Sequence, residues 1–161
     1  MGSNMVFKKI LVPYDGSKHA ENALNRAIFL GKLISGSEII LLNVIEEISS
    51  PPVIFDTKVR DHKTGEPTTL SNYIRDLQKD MRHKMIKILD ELKHKHQNSV
   101  HISTLVSIGS PEIKIVEYAN NQHIDLIVMG SRGLRGISRL IMGSVSRTVS
   151  ENVRCTVMIV R

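Results

Sequence analysis

Residues 125–149 read DLIVMGSRGLRGISRLIMGSVSRTV, and this stretch decides the fold. Leu126-Ile127-Val128-Met129 is an apolar run without polar alternation, the pattern of a strand buried on both faces. Gly130 ends the run, Gly133 follows three positions later, and after nine more residues come Gly143 and Ser144. From about Ser144 to Asn152 the spacing is helical. A strand, a glycine-punctuated loop and a helix start are the parts of an anion site. Glycine allows close backbone approach and positive φ. The free N–H groups of a first helical turn, aided by the dipole, face negative charge. No Gly-Lys-Ser/Thr follows, so this is not a Walker A loop, and Ser131-Arg132 between Gly130 and Gly133 excludes Gly-x-Gly-x-x-Gly. On these residues alone, phosphate binding and a plain flexible loop are both open.

Outward from this stretch, strands and helices alternate. Phe7 to Val12 reads as a first strand, closed by Pro13 and followed by the turn chemistry of Asp15-Gly16-Ser17. Ser17 is placed to cap a helix marked by Ala20, Ala23, Leu24, Ala27, Ile28 and Ile34, with Gly36 as its stop. Ile39 to Val44 is a second buried strand. Glu46 to Thr69 contains Ser49-Ser50-Pro51-Pro52 and Asp61 to Pro67, and reads as a long, mostly irregular connection. Both a functional loop near the strand end and a floppy insertion fit it. Leu70, Tyr73, Ile74, Leu77, Met81, Met85, Ile88, Leu89 and Leu92 then mark one face of a long helix. Val100 to Ile108 alternates as a third strand, and Ser110-Pro111 starts another helix. Asp125 to Met129 is the fourth strand and Thr156 to Val160 the fifth. This order implies βαβ units: a single open five-stranded parallel sheet with helices on both faces, Rossmann-like, in one domain over residues 5–161. Met5 reads as the natural start, with residues 1–4 a remnant ahead of it.

Composition narrows the function classes. The chain has 161 residues, 41% hydrophobic and 24% charged, an ordinary globular balance with no apolar run long enough to span a membrane. The single cysteine, Cys155, fits a reducing compartment and reads as a packed thiol. The formal charge of +6 could attract nucleic acid, but with no Trp and scattered Phe and Tyr there is no stacking platform. Nucleic acid is therefore disfavoured as a partner. No Ser/His/Asp order has supporting turn chemistry, and the seven His show no metal spacing. No catalytic residue is assigned.

Gly-x-x-Gly, nine residues, then Gly-Ser resembles the nucleotide-binding signature of the universal stress protein family, carried here by Gly130, Gly133, Gly143 and Ser144. The resemblance runs from Lys8-Lys9-Ile10-Leu11-Val12-Pro13-Tyr14-Asp15-Gly16-Ser17 to Cys155-Thr156-Val157-Met158-Ile159-Val160. One departure is Thr156, where family members often carry Pro, and it leaves the start of the last strand open. The resemblance implies strand order 3-2-1-4-5, which puts a ligand crevice where the order reverses, between strands one and four. It implies ATP with Mg²⁺ as ligand. Val44 would line the adenine slot. Pro13 and Asp15 would end the first strand, with Asp15 near the ribose or a phosphate-bound metal. Met129 and Gly130 would flank the ribose, and Gly133, Gly143, Ser144, Val145 and Ser146 would receive the phosphates.

Taken without the resemblance, these residues say less. Ser144 has the strongest case, a hydroxyl and an N–H at a helix start. Asp15 also reads as a simple turn or capping residue and, alone, is a weak metal candidate. Val44 reads as core. Arg132, Arg135, Arg139 and Arg147 crowd the loop, either screening phosphate or as solvated surface. The function expected is a cytoplasmic ATP-binding stress-response protein, a sensor or regulator with at most slow ATP hydrolysis. Its partners would be ATP, a second copy paired through the last strand, and an unidentified downstream protein. Two alternatives are a slow ATPase or nucleotidyl-transfer enzyme on the same scaffold, and a dimeric interaction module without nucleotide.

Overall fold

The computed structural model of the protein describes residues 7–49, 57–133 and 142–161. The elements run β1 (Lys9–Pro13), α1 (Lys18–Leu33), β2 (Glu38–Ile45), β3 (Lys58–Arg60), β4 (Pro67–Thr69), α2 (Leu70–His96), β5 (His101–Ile108), α3 (Pro111–Asn121), β6 (Leu126–Gly130), α4 (Ser144–Asn152) and β7 (Thr156–Val160). The main sheet has order β5-β2-β1-β6-β7, and every pairing in it is parallel. With the short β3–β4 pair set aside, this is the 3-2-1-4-5 order that the family resemblance implies.

The buried strands are apolar on both sides because helices cover both faces. Ile10, Val12, Ile39, Leu41, Leu126 and Val128 face α1 and α2, where Ala23, Leu24, Ala27 and Leu89 meet them. Leu11, Ile40, Leu42, Ile127 and Met129 face the other way, onto Ile115 and Ala119 of α3 and Val149 of α4. Each fully buried aliphatic side chain contributes about 1.5–3 kcal/mol. Ser17 caps α1, its Oγ accepting from Ala20 N–H at 3.2 Å. This satisfies one orphan donor of the first turn. Gly36 takes φ +73° after the helix ends, a conformation that glycine adopts at no steric cost.

Two elements are more specific than the sequence indicates. The 46–69 connection, read as mostly irregular, contains in its described part the antiparallel pair β3–β4, in register Val59↔Thr68. The Asp61 carboxylate accepts from the N–H groups of Lys63 and Thr64, both at 2.8 Å, and Gly65 turns the chain at φ +73°. Strands of three residues are too short to carry a readable period. The long helix starts at Leu70 as read, but of its apolar stripe Ile74 and Leu89 are buried, Met85, Ile88 and Leu92 pack half-buried on the core, and Met81 is 43% exposed. The cause is length. A 27-residue helix extends about 40 Å, whereas an eight-residue strand extends about 26 Å, so α2 overhangs the sheet. β7 starts at Thr156, opposite Leu126, so Thr there begins the strand.

Candidate functional site

The sheet order reverses between β1 and β6, whose paired residues include Ile10↔Leu126 and Leu11↔Ile127. Their carboxyl ends, Pro13 and Gly130, open one crevice, the place where open α/β sheets bind ligands. Past β1, Tyr14 stays against β2, its N–H donating to Leu42 O at 2.9 Å. Its ring is buried, and burial, with Glu21 and Asp15 nearby, pushes the phenol above its ordinary pKa. Asp15 Oδ1 then accepts from Ser17 N–H at 2.9 Å, and Gly16 takes φ +83°. The turn reading of Asp15 therefore accounts for one carboxylate oxygen. The other lies at Gly133: a β-carbon on that glycine would stand 2.6 Å from Asp15 Oδ2.

Past β6, the Ser131 backbone ties the loop to its surroundings. Its N–H donates to Val160 O at 2.7 Å, and its carbonyl accepts from Gly143 N–H at 2.8 Å. Gly143 is the N-cap of α4, and Ser144, Val145 and Ser146 form the first turn. Their N–H groups are the orphan donors of a helix start. Ser144 is exposed, as a ligand contact requires. Ser146 is 2% exposed, and its hydroxyl lies 3.1 Å from Ser131 O and 3.0 Å from Gly143 O. That hydroxyl closes the loop, so toward a phosphate Ser146 offers only its backbone.

The three loop glycines do not share one reason. The positive-φ glycines among the described residues are Gly16, Gly36, Gly65 and Gly109, so the φ > 0 expected of the loop does not apply to Gly130, Gly133 or Gly143. Close approach does. At Gly130 a β-carbon would come within 2.7 Å of His19 Cβ and 2.8 Å of His19 carbonyl carbon. Gly130 therefore lets α1 lie on β6, as a packing glycine. At Gly143 it would lie 3.3 Å from Ser131 O. Gly133 is exposed and, among the described residues, meets only the Asp15 carboxylate.

The other expected residues lie at the same edge in different settings. Pro13 and Val44 are half-buried, and Val44 packs on the α3–α4 side of the core with Val145. Met129 is 4% exposed inside that cluster, so its side chain is core. Arg132 is half-buried and Arg147 exposed, while Arg135 and Arg139 lie outside the described residues. Among the described residues no three His, Cys, Asp or Glu gather as a metal site. Burial pushes the Cys155 thiol up, in keeping with a packed thiol. A cavity of about 500 Å³ between the β3–β4 turn and α2, lined by Asp61, His62, Lys63, Tyr73, Asp80 and His83, is separate from the crevice. Sequence reasoning missed Asn43, which is buried at the end of β2 with Nδ2 donating to Tyr14 O at 2.8 Å. The available signal was its place as the single polar residue between Ile39 and Ile45.

Comparison with known proteins agrees with this layout. The model of the universal stress protein family matches residues 6–161. Universal stress protein YxiE of Bacillus subtilis is 32% identical over 157 residues, covering 97% of this chain and 100% of the relative. The structure of universal stress protein UspA from Lactobacillus plantarum superposes with a TM-score of 0.79 at 23% identity, covering 96% of this chain and 98% of that one. A universal stress protein family protein from Arabidopsis thaliana, solved with AMP bound, has a TM-score of 0.63 at 19% identity, covering 95% and 90%. With its signature spacing and strand order, the chain belongs to the universal stress protein family.

Proposed function

We propose that this protein binds ATP, with Mg²⁺, in the crevice between the ends of β1 and β6, and acts as a nucleotide-dependent sensor or regulator in the cytoplasm. The observation that carries the reading is the approach of Gly133 to Asp15 Oδ2, which leaves the loop backbone, rather than a side chain, facing the crevice beside a carboxylate. The α4 N-terminus adds donors for phosphate. The half-buried Val44 suits the base, and the AMP-bound structure of the same fold supports an adenine ligand. The residues fit a nucleotide better than they fit a free metal. With one carboxylate assigned to the site, Mg²⁺ would be held mainly by the phosphates, as this ion commonly is.

Isothermal titration with ATP and GTP in Mg²⁺ tests the ligand. Tighter binding of ATP is expected, and equal affinity, or none for either, removes the adenine assignment. Turnover separates a regulator from an enzyme. Hydrolysis is expected well below the median enzyme rate of about 10 s⁻¹. A robust rate abolished by one carboxylate or His substitution would favour the enzyme.

We also propose that two copies pair through β7. Val157 and Ile159 pack on the α3–α4 side of the core, and Met158 is 37% exposed. The outer side of β7 is paired with no described strand, and an open apolar edge favours pairing with another chain.

A further inference from the structure

Asn43 is an exception in its strand. The run from Ile39 to Ile45 is otherwise aliphatic, and Asn43 is 4% exposed. By alternation it shares the sheet face of Ile39 and Leu41, the side covered by α1 and α2. Its Oδ1 is buried and accepts no hydrogen bond among the described residues. A half-satisfied buried amide costs stability relative to an aliphatic side chain of similar size. Core packing alone therefore does not favour Asn here.

What the amide does is specific. Nδ2 donates to Tyr14 O at 2.8 Å, while Tyr14 N–H donates to Leu42 O at 2.9 Å. Both polar groups of the Tyr14 backbone are thus held by β2, one residue beyond the last β1–β2 pair, Pro13↔Leu42. The direction in which the chain leaves the sheet is set there. The next residue is Asp15, with Oδ1 engaged by Ser17 N–H and Oδ2 beside Gly133. On the other side of the bond, the residue after Asn43 is Val44.

We propose that Asn43 is a positioning residue of the nucleotide site: by holding the Tyr14 carbonyl it sets the Asp15 carboxylate against the Gly133 loop and ties it to the strand end that carries Val44. This rests on the nucleotide reading above. Without the amide, the Tyr14 carbonyl would be a buried acceptor with no donor among the described residues, and it would recover one by swinging the Asp15 turn toward water.

A double-mutant cycle in the full chain tests this, with folding checked by circular dichroism and ATP affinity by titration. Asn43→Leu should weaken ATP about tenfold. Asp15→Asn should also weaken it, and the double variant should be no weaker than Asp15→Asn alone, because Asn43 acts through Asp15. Losses that multiply, or an unchanged affinity in Asn43→Leu, overturn the proposal while leaving nucleotide binding in place. Absence of adenine nucleotide binding by the unmodified protein overturns the nucleotide reading and this inference with it. Should Leu prevent folding, Asn43→Ser carries the same cycle, because its hydroxyl is too short to reach Tyr14 O.

Discussion

The Asp15 carboxylate occupies the space next to the Gly133 Cα, with Oδ2 2.6 Å from the position a β-carbon would take. Residues 118 positions apart thereby form one wall of the crevice, and any side chain at position 133 must move the carboxylate. At Gly130 the space is instead filled by His19 and by the start of α1. Two glycines three residues apart therefore have different neighbours, a carboxylate at the crevice and the start of α1.

Gly133→Val should weaken ATP binding with the fold largely intact, because Gly133 is exposed and its close neighbour is the end of a side chain. Adenosine should be much less affected, since it carries no phosphates. Titration of the variant with both ligands, beside a thermal melt, decides the matter. Equal losses for adenosine and ATP would assign the loop glycines to the fold.

Gly130→Ala should behave in the opposite way. Its β-carbon meets His19 Cβ at 2.7 Å and backbone atoms at 2.8 and 3.1 Å, which can yield only if α1 shifts on the sheet. Overpacking of this kind costs about 1–3 kcal/mol. A chemical denaturation series without nucleotide should show a lowered midpoint. A midpoint unchanged from wild type would mean that α1 is not fixed against β6.

Ser144→Ala should weaken ATP less than Gly133→Val. The substitution removes one exposed hydroxyl but keeps the first-turn N–H groups and the dipole of α4. Loss of a hydrogen bond to a charged group sets an upper guide of about 1.5–3 kcal/mol. Ser146→Ala should instead lower stability, because its hydroxyl bonds to loop carbonyls. If Ser146→Ala left the melting temperature unchanged and abolished ATP binding, the two roles would have to be exchanged.

The proposed dimer would pair the open edge of β7. Val160 O accepts from Ser131 N–H, so Val160 and, by alternation, Met158 direct their backbone groups toward β6. Val157 and Ile159 direct theirs to the open edge. Antiparallel pairing about a two-fold axis at Met158 would place Val157 opposite Ile159 of the partner subunit, with about four backbone hydrogen bonds. Met158→Lys would set like charges across that axis and should favour monomers. Met158 is the cleaner position to change, because Ile159 packs on the core. Light scattering reads the outcome, and a Met158→Lys protein of unchanged mass would remove this strand from the interface.

The order of the main elements and the parallel sheet were legible in the sequence, because apolar runs and helical spacing are local patterns, whereas the strand order, and with it the crevice, came from the resemblance to the family. Ser17 as a cap, the Ser110–Pro111 helix start and the extent of α4 are settled by residues within a few positions of one another. The glycine spacing located the loop for the same reason. Only the tertiary structure decided what each loop residue does. Gly130 meets α1, Gly133 meets Asp15, and Ser146 turns its hydroxyl onto Ser131, through contacts that a linear pattern does not contain. The same holds for α2, whose stripe predicts a buried face but not that the helix outruns the sheet, and for Asn43, whose amide has meaning only because β1 ends beside it. A period along one chain fixes which side of an element is apolar; what stands opposite each residue is set by how the elements pack.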